Sequence, residues 1–181
     1  MTQWPDQFNS DTATAWLKNQ YHIPALLLLA IYMLWIRLHG WSAFVSSDQV
    51  LFSGNDAWYH YRLVTYTVIH FPRTMPFELW TSFPTGTAVG QFGTLYDQLV
   101  AAAALVLGTG DPTAQTTGLT LLFAPALLGT LAVIPTYLLG QHFGGRLAGI
   151  GAVVVLALTP GAFLQRTMVG FSDHHAAETL F

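Results

Sequence analysis

The sequence predicts an all-α polytopic membrane protein, and its low charge and long apolar stretches are the main reasons. Only 8% of the 181 residues are charged and 52% are hydrophobic, with a mean hydropathy of +0.45. Soluble domains are usually about one quarter charged, so this chain lacks the groups that would solvate a soluble protein of its size. Three stretches are long and apolar enough to cross a bilayer, which takes about 20 residues.

The three predicted transmembrane helices cover about residues 22–41, 117–140 and 146–163. The first, HIPALLLLAIYMLWIRLHGW, carries Arg37 near its end. Because long basic side chains near a helix end can extend to the membrane surface, we expect Arg37 to reach the lipid headgroups. The segment QHFGGR separates the second and third helices and is expected to form a tight turn.

Two external loops are predicted beside these helices. The first covers about residues 42–116 and includes a short apolar helix, 94–108, which is better suited to the membrane interface than to a full crossing. The second, about residues 165–176, contains the motif SDHH. If 94–108 does not cross, both loops lie on one side of the membrane, so Asp56 and Asp173 can share a site.

Composition also narrows the partners. There is no cysteine, which excludes disulfides and thiolate metal sites. The formal net charge is −3, so nothing in the sequence indicates a nucleic-acid partner. Together with the apolar composition, this leaves membrane lipids as the predicted surroundings of the chain.

Two polar motifs could carry chemistry in this mostly apolar chain. GND contains Asp56. SDHH contains Asp173, seven residues after Arg166, and His175, which follows two residues later. Carboxylate oxygens and imidazole nitrogens together suit a divalent ion such as Mg²⁺ or Mn²⁺. In an extended loop Asp173 and His175 would point the same way, and His174 would point away.

Both motifs are also typical of helix starts. In GND, Ser53 or Asn55 would cap the next helix, and Asp56 would lie in its first turn, where a carboxylate is favoured. In SDHHAAE, Ser172 or Asp173 would be the cap. Taken alone, neither motif decides between a cap and a metal ligand.

Other polar and aromatic residues have ordinary structural interpretations. Arg166 could anchor a helix end at the lipid headgroups. His60 and His70 are typical of polar loop surfaces, and Trp58 and Trp80 are typical of interfacial packing.

The combination of motifs is more specific than any one of them. An anchor helix, GND-x-WYH-x-R, a Pro-rich aromatic loop, two spans and RTMVGFSDHH follow one another from about His22 to Phe181. This order resembles the N-terminal part of the oligosaccharyltransferase catalytic-subunit family, above all its archaeal members. RTMVGFSDHH is the most telling piece, because its arginine, glycine and acid-x-His unit fall at the family's spacing.

The resemblance implies a function and a set of site residues. Family members transfer a glycan from a lipid-linked (dolichyl) phosphate or pyrophosphate donor to the Asn amide of an Asn-x-Ser/Thr sequon. It implies that Asp56 binds a divalent metal, Mn²⁺ or Mg²⁺, and contacts the acceptor amide. Asp173 and His175 would complete the metal site, and Arg166 would lie beside the acceptor. The site would lie on the extracytoplasmic face of the cell membrane.

The resemblance also implies that more chain is needed. Family members carry a later Thr-x-x-Glu-like motif and a C-terminal soluble domain with a Trp-Trp-Asp-Tyr-Gly motif, neither of which is in this sequence. We therefore expect a fragment of a longer multi-span enzyme, inactive alone.

Two other classes of protein compete with this hypothesis. One is a polytopic ion or solute transporter with an Asp/His metal site, which would carry ionisable residues within its spans. The other is a structural membrane subunit, which would leave the two acidic motifs without a role. The candidate ligands flank the predicted spans, and this favours the enzyme.

Overall fold

A computed structural model describes residues 20–47, 49–91 and 95–180, and these residues are mostly helical, as the composition predicts. Two short strands pair antiparallel in the first loop, with Phe77 opposite Ala88, which the sequence did not predict. The helices and strands are α1 (His22–Leu38), α2 (Asn55–His70), β1 (Phe77–Glu78), β2 (Thr87–Ala88), α3 (Leu95–Leu107), α4 (Ala114–Leu131), α5 (Val133–Leu158), α6 (Ala162–Arg166) and α7 (His175–Glu178).

Two helical stretches of the described chain are long and apolar enough to cross a membrane, where the sequence predicts three. They are His22–Ala43 and Ala114–Leu158. The second stretch contains the predicted span 117–140 and most of 146–163, which it leaves at Leu158. Within it, α4 ends at Leu131, inside the first of these predicted spans. Pro135 explains this position, because it has no N–H to donate to the Leu131 carbonyl four residues earlier. The short apolar helix is α3, and Thr94, its predicted first residue, lies outside the described residues.

Among the described residues, one compact unit consists of residues 20–32 together with residues 133–158. Within it α5 is not a continuous helix, because Gly144 and Gly145 leave helical geometry. Gly145 has a φ of 77°, which glycine adopts without steric cost. A Cβ on Gly140 would lie 2.9 Å from the Cα of Gly149, so the two halves of α5 pack closely. The chain therefore reverses within QHFGGR.

The second unit comprises residues 33–132 and the chain from residue 159 onward, and it holds both acidic motifs. Its core lies between α2, α3 and α4. Each of these helices buries one face, and small residues such as Ala57 and Ala101 let the helices approach closely. The central buried residues are Ala57, Val64, Tyr96, Val100, Ala101, Leu121 and Leu122.

Arg37 does not reach the lipid headgroups, so that prediction is wrong. Its side chain is fully buried, and its Nε donates to Thr167 Oγ1 at 2.9 Å. Its Nη1 donates to the Met33 carbonyl at 3.0 Å, and the Val169 N–H donates to the Arg37 carbonyl at 3.0 Å. These bonds replace the water that an exposed guanidinium would have, and they tie the segment after α6 to the end of α1.

Gly129 makes this arrangement possible, and its replacement tests it. A Cβ at Gly129 would lie 2.5 Å from Thr167 Cβ and 2.9 Å from Arg37 Nε. We expect Gly129→Ala to lower the free energy of unfolding by about 1–3 kcal/mol, the usual cost of overpacking. Gly151→Ala is the matched control, because a Cβ there meets nothing within 4 Å. It should stabilise its helix by about 0.5–1 kcal/mol.

Thermal unfolding of both variants in the same detergent gives the comparison. Equal stability of the two variants would contradict the close approach of α4 to Thr167.

Candidate functional site

A cavity of about 550 Å³ in the second unit brings the two acidic motifs together. The first turns of α2 form one wall, the loop after β1 forms another, and the start of α7 closes the third. Charged, imidazole and aromatic side chains therefore share one space. The lining residues are Asn55, Asp56, Trp58, Tyr59, His60, Arg62, Trp80, Thr81, Asp173, His174 and His175.

Asp56 lies exposed in the first turn of α2. The helix cap is Gly54, with a φ of 80° and no side-chain cap bond, so the prediction that Ser53 or Asn55 supplies the cap is wrong. The positive end of the helix dipole favours a carboxylate at this position. Asp56 is thus held at the cavity wall with its carboxylate accessible.

Asp173 contacts every other charged group at the inner end of the cavity. Its Oδ2 accepts a hydrogen bond from Arg166 Nη1 at 3.0 Å and lies 3.6 Å from His175 Nε2. Its Oδ1 lies 2.8 Å from His174 Nδ1. Burial acts to raise the pKa of Asp173, but a hydrogen bond from His60 and the charges of His174 and His175 lower it to about 2. Asp173 is therefore ionised at neutral pH.

His174 does not point away from Asp173, so the extended-loop prediction is wrong. The chain turns at His174 and α7 begins at His175, which brings both imidazoles to the carboxylate. The cap of α7 is His174, without a side-chain bond, so Ser172 and Asp173 are not its caps. Ser172 instead donates to the Leu121 carbonyl at 2.7 Å.

His175 is oriented by a carboxylate on its own helix. Its Nδ1 lies 2.7 Å from Glu178 Oε2, so an Nδ1–H donates to Glu178 and Nε2 keeps its lone pair. A carboxylate behind an imidazole is the usual arrangement around metal-binding histidines. His175 therefore presents its Nε2 towards Asp173 Oδ2, 3.6 Å away.

His60 and Asp97 belong to the site and were missed by sequence reasoning. His60 is 2% exposed, so its assignment to the loop surface is wrong, and its Nδ1 lies 2.7 Å from Asp97 Oδ1. Burial acts to lower the pKa of His60, but the nearby carboxylates of Asp173 and Asp97 raise it to about 9. One signal was available, because Asp56 and His60 are four residues apart and share one helix face.

The structure assembles the predicted metal ligands only in part. Asp173 lies close to His175, and Arg166 lies close to Asp173, whereas Asp56 shares the cavity without joining a close group. Within the described ranges, two groups of three have ligand atoms within 4.8 Å of one another. They are His60–Asp173–His174 and His174–His175–Glu178.

A second, smaller cavity of about 180 Å³ also contains Asp56 and Asp173. It includes Arg166 and Gln165 from α6, which do not line the larger cavity. The two acids therefore form a wall between two spaces of different composition. Both acids, with Arg166 and His175, lie outside the two long apolar helices, as expected for an enzyme rather than a transporter.

An ion pair between the half-buried Arg62 and the buried Glu78 supports the aromatic wall of the larger cavity. Arg62 Nε donates to Glu78 Oε1 at 2.9 Å, and Glu78 Oε2 accepts from both the N–H and the hydroxyl of Thr81. Burial acts to raise the pKa of Glu78, but these bonds outweigh it and lower the pKa to about 2. Trp58 and Trp80, assigned to interfacial packing from the sequence, line this cavity.

The pH dependence of stability tests the Glu78 bonds. A carboxylate whose pKa falls from 4.5 to about 2 on folding stabilises the fold above pH 4.5, and this contribution is lost as the pH falls towards 2. We expect Glu78→Gln to cost about 1.5–3 kcal/mol at pH 7, the range for hydrogen bonds to a charged group. The difference from the unchanged protein should shrink between pH 4.5 and pH 2.

Thermal unfolding in detergent at several pH values measures this difference. The exposed Asp111 supplies a control, because Asp111→Asn should change stability by no more than about 0.5 kcal/mol. A Glu78→Gln cost that does not vary with pH would contradict the ion pair.

Comparison with known proteins agrees with the motifs. The family model described as "Oligosaccharyl transferase STT3, N-terminal" matches residues 26–181. The chain is 56% identical over 164 residues to the dolichyl-monophosphooligosaccharide–protein glycotransferase AglB of Haloferax volcanii. The match covers 91% of this chain and 16% of that relative.

Solved structures of an archaeal enzyme match the fold as well. AglB from Archaeoglobus fulgidus with an inhibitory peptide and a dolichol-phosphate matches at a TM-score of 0.79 and 32% identity, over 90% of this chain and 18% of that one. The A. fulgidus oligosaccharyltransferase with Zn and sulfate matches at a TM-score of 0.76 and 32% identity, over 85% and 19%. The chain thus spans less than one fifth of the length of these relatives. It belongs to the oligosaccharyl transferase STT3 family and matches the N-terminal part of that family.

Proposed function

We propose that the protein containing this chain transfers an oligosaccharide from a dolichyl phosphate or pyrophosphate to the side-chain amide of Asn in an Asn-x-Ser/Thr sequon. The relatives' names and the dolichol-phosphate and peptide bound to the A. fulgidus enzyme support both substrates. The observation that carries the proposal is the wall formed by Asp56 and Asp173 between two cavities. Two substrates that enter separately can meet at such a wall.

Asp56 would act on the acceptor amide. An amide nitrogen is a weak nucleophile because its lone pair is delocalised into the carbonyl. The exposed carboxylate of Asp56 can accept hydrogen bonds from the amide N–H groups and so favour a less conjugated nitrogen. Arg166 borders the smaller cavity, which is consistent with a place beside the acceptor.

Asp56, Asp173 and His175 would hold a divalent ion, Mn²⁺ or Mg²⁺. Asp173 and His175 fit such an ion, since Asp173 is ionised and His175 presents an Nε2 lone pair backed by Glu178. Asp56 lines the same cavity and would have to approach them to complete the site. When bound, the ion would neutralise charge on the phosphate leaving group. The A. fulgidus oligosaccharyltransferase in complex with Zn and sulfate shows that a relative binds a cation and an oxyanion.

Arg166 and Asp173 would keep each other in place while substrates bind. Their 3.0 Å ion pair links α6 to the segment before α7, so the acceptor side and the metal side of the wall are mechanically connected. We place this site on the extracytoplasmic face of a multi-pass membrane protein, with α1 as one crossing.

An assay of the full-length protein tests the proposal. Protein in detergent, given a dolichol-linked oligosaccharide, Mn²⁺ and a peptide with an Asn-x-Thr sequon, should yield glycopeptide detectable by mass spectrometry. Replacement of the sequon Asn by Gln should abolish the product, and EDTA should do so until Mn²⁺ is restored. Absence of product with both mono- and diphosphate donors would overturn the proposed function.

A further inference from the structure

Two imidazoles, each backed by a carboxylate, face the two oxygens of Asp173. His175 is backed by Glu178, and its Nε2 lies 3.6 Å from Asp173 Oδ2. His60 is backed by Asp97, and its Nε2 lies 3.7 Å from Asp173 Oδ1. His60 therefore approaches the Asp173 carboxylate from its buried side, and His175 approaches it from its open side.

Asp97 determines which nitrogen of His60 is available. Both residues are almost fully buried, at 2% and 1% exposed, so their 2.7 Å bond is shielded from water. An Nδ1–H that donates to Asp97 leaves Nε2 directed at the interior of the cluster, where a bound cation would displace the Nε2 proton. The same placing of a carboxylate behind an imidazole orients histidine ligands in metal sites.

A third ligand atom completes a triangle. His174 Nδ1 lies 3.3 Å from His60 Nε2 and 2.8 Å from Asp173 Oδ1. A point equidistant from these three atoms lies about 1.9 Å from each, close to the bond lengths of about 2.0–2.1 Å that divalent transition metals make to nitrogen and oxygen. One ion slightly out of the plane could therefore reach all three without large side-chain movement.

We propose that His60, His174 and Asp173 Oδ1 form a binding position for a divalent transition-metal cation, with Asp97 orienting His60. Two imidazole nitrogens and one carboxylate oxygen favour Mn²⁺, Co²⁺ or Zn²⁺ over Mg²⁺. The position shares Asp173 with the site proposed for transfer, but it uses the opposite oxygen. It does not depend on which reaction the protein catalyses.

Electron paramagnetic resonance of Mn²⁺ bound to the full-length, metal-stripped protein tests the position. Titration gives the affinity, and pulsed measurements detect the nitrogens of coordinated imidazoles. His60→Gln should remove one coordinated nitrogen and weaken Mn²⁺ binding by about 10–100-fold. Asp97→Asn should weaken binding by about tenfold with the nitrogen count kept. His70→Gln, on the same helix and exposed, is the control and should change neither quantity.

An unchanged nitrogen count and affinity in His60→Gln would overturn the proposal. Thermal unfolding without metal shows whether each variant is folded. If His60→Gln does not fold, the near-isosteric Asp97→Asn decides, and Mn²⁺ affinity equal to that of the unchanged protein overturns the proposal. No donor or acceptor substrate is present in these measurements, so their outcome is separate from that of the transfer assay.

Discussion

Replacement of Asp173 by asparagine should reduce glycopeptide formation by about 10²–10³-fold, the usual effect of losing one electrostatic contact to a reacting group. The amide keeps the shape of the side chain but removes the negative charge that faces Arg166, His174 and His175. Three nearby cationic or imidazole groups would then have lost their shared counter-charge. Metal affinity should fall in the same variant.

Initial rates at saturating Mn²⁺, with donor and peptide in excess, measure this effect. Saturating metal separates a weakened metal site from lost chemistry. Asp111 is exposed and distant in sequence from Asp173, so Asp111→Asn should retain full activity. Full activity of Asp173→Asn at saturating metal would refute the role assigned to Asp173.

Asp56→Asn should have an effect of similar size, about 10²–10³-fold, but mainly on kcat. The carboxylate at the start of α2 is proposed to bond the acceptor amide most strongly as its conjugation is lost, so peptide KM should change little. Its neighbour Asn55 lines the same cavity and is expected to be scaffold. Asn55→Ala should therefore stay within about threefold of full activity.

Peptide saturation curves for the two variants separate the possibilities. A raised KM with unchanged kcat in Asp56→Asn would indicate a binding role only. Equal losses in Asp56→Asn and Asn55→Ala would show that the start of α2 matters as a structure and that its carboxylate does not.

The sequence was most informative where one segment carries the signal. Low charge and apolar runs predict the helical membrane-type fold, and Asp56 and Asp173 are visible as acids in a mostly apolar chain. The partners of these residues were not visible. His60 and Asp97 are 37 residues apart, and Arg62 and Glu78 are 16 apart, so only folding brings them together.

Local geometry explains the other misses. The extended-loop assumption for SDHH failed because α7 begins at His175. Arg37 was placed at the headgroups because Thr167, its bonding partner, lies 130 residues later. In each case the pattern identified a polar group correctly and could not show which distant group satisfies it.

The wall that Asp56 and Asp173 form between the two cavities has a kinetic consequence. In the proposed reaction, donor and acceptor would occupy the two cavities separately, so neither would have to leave before the other binds. We therefore expect random-order kinetics, in which a dead-end analogue of either substrate inhibits competitively against that substrate and noncompetitively against the other. The enzyme could then hold its donor ready while successive stretches of an unfolded chain pass by.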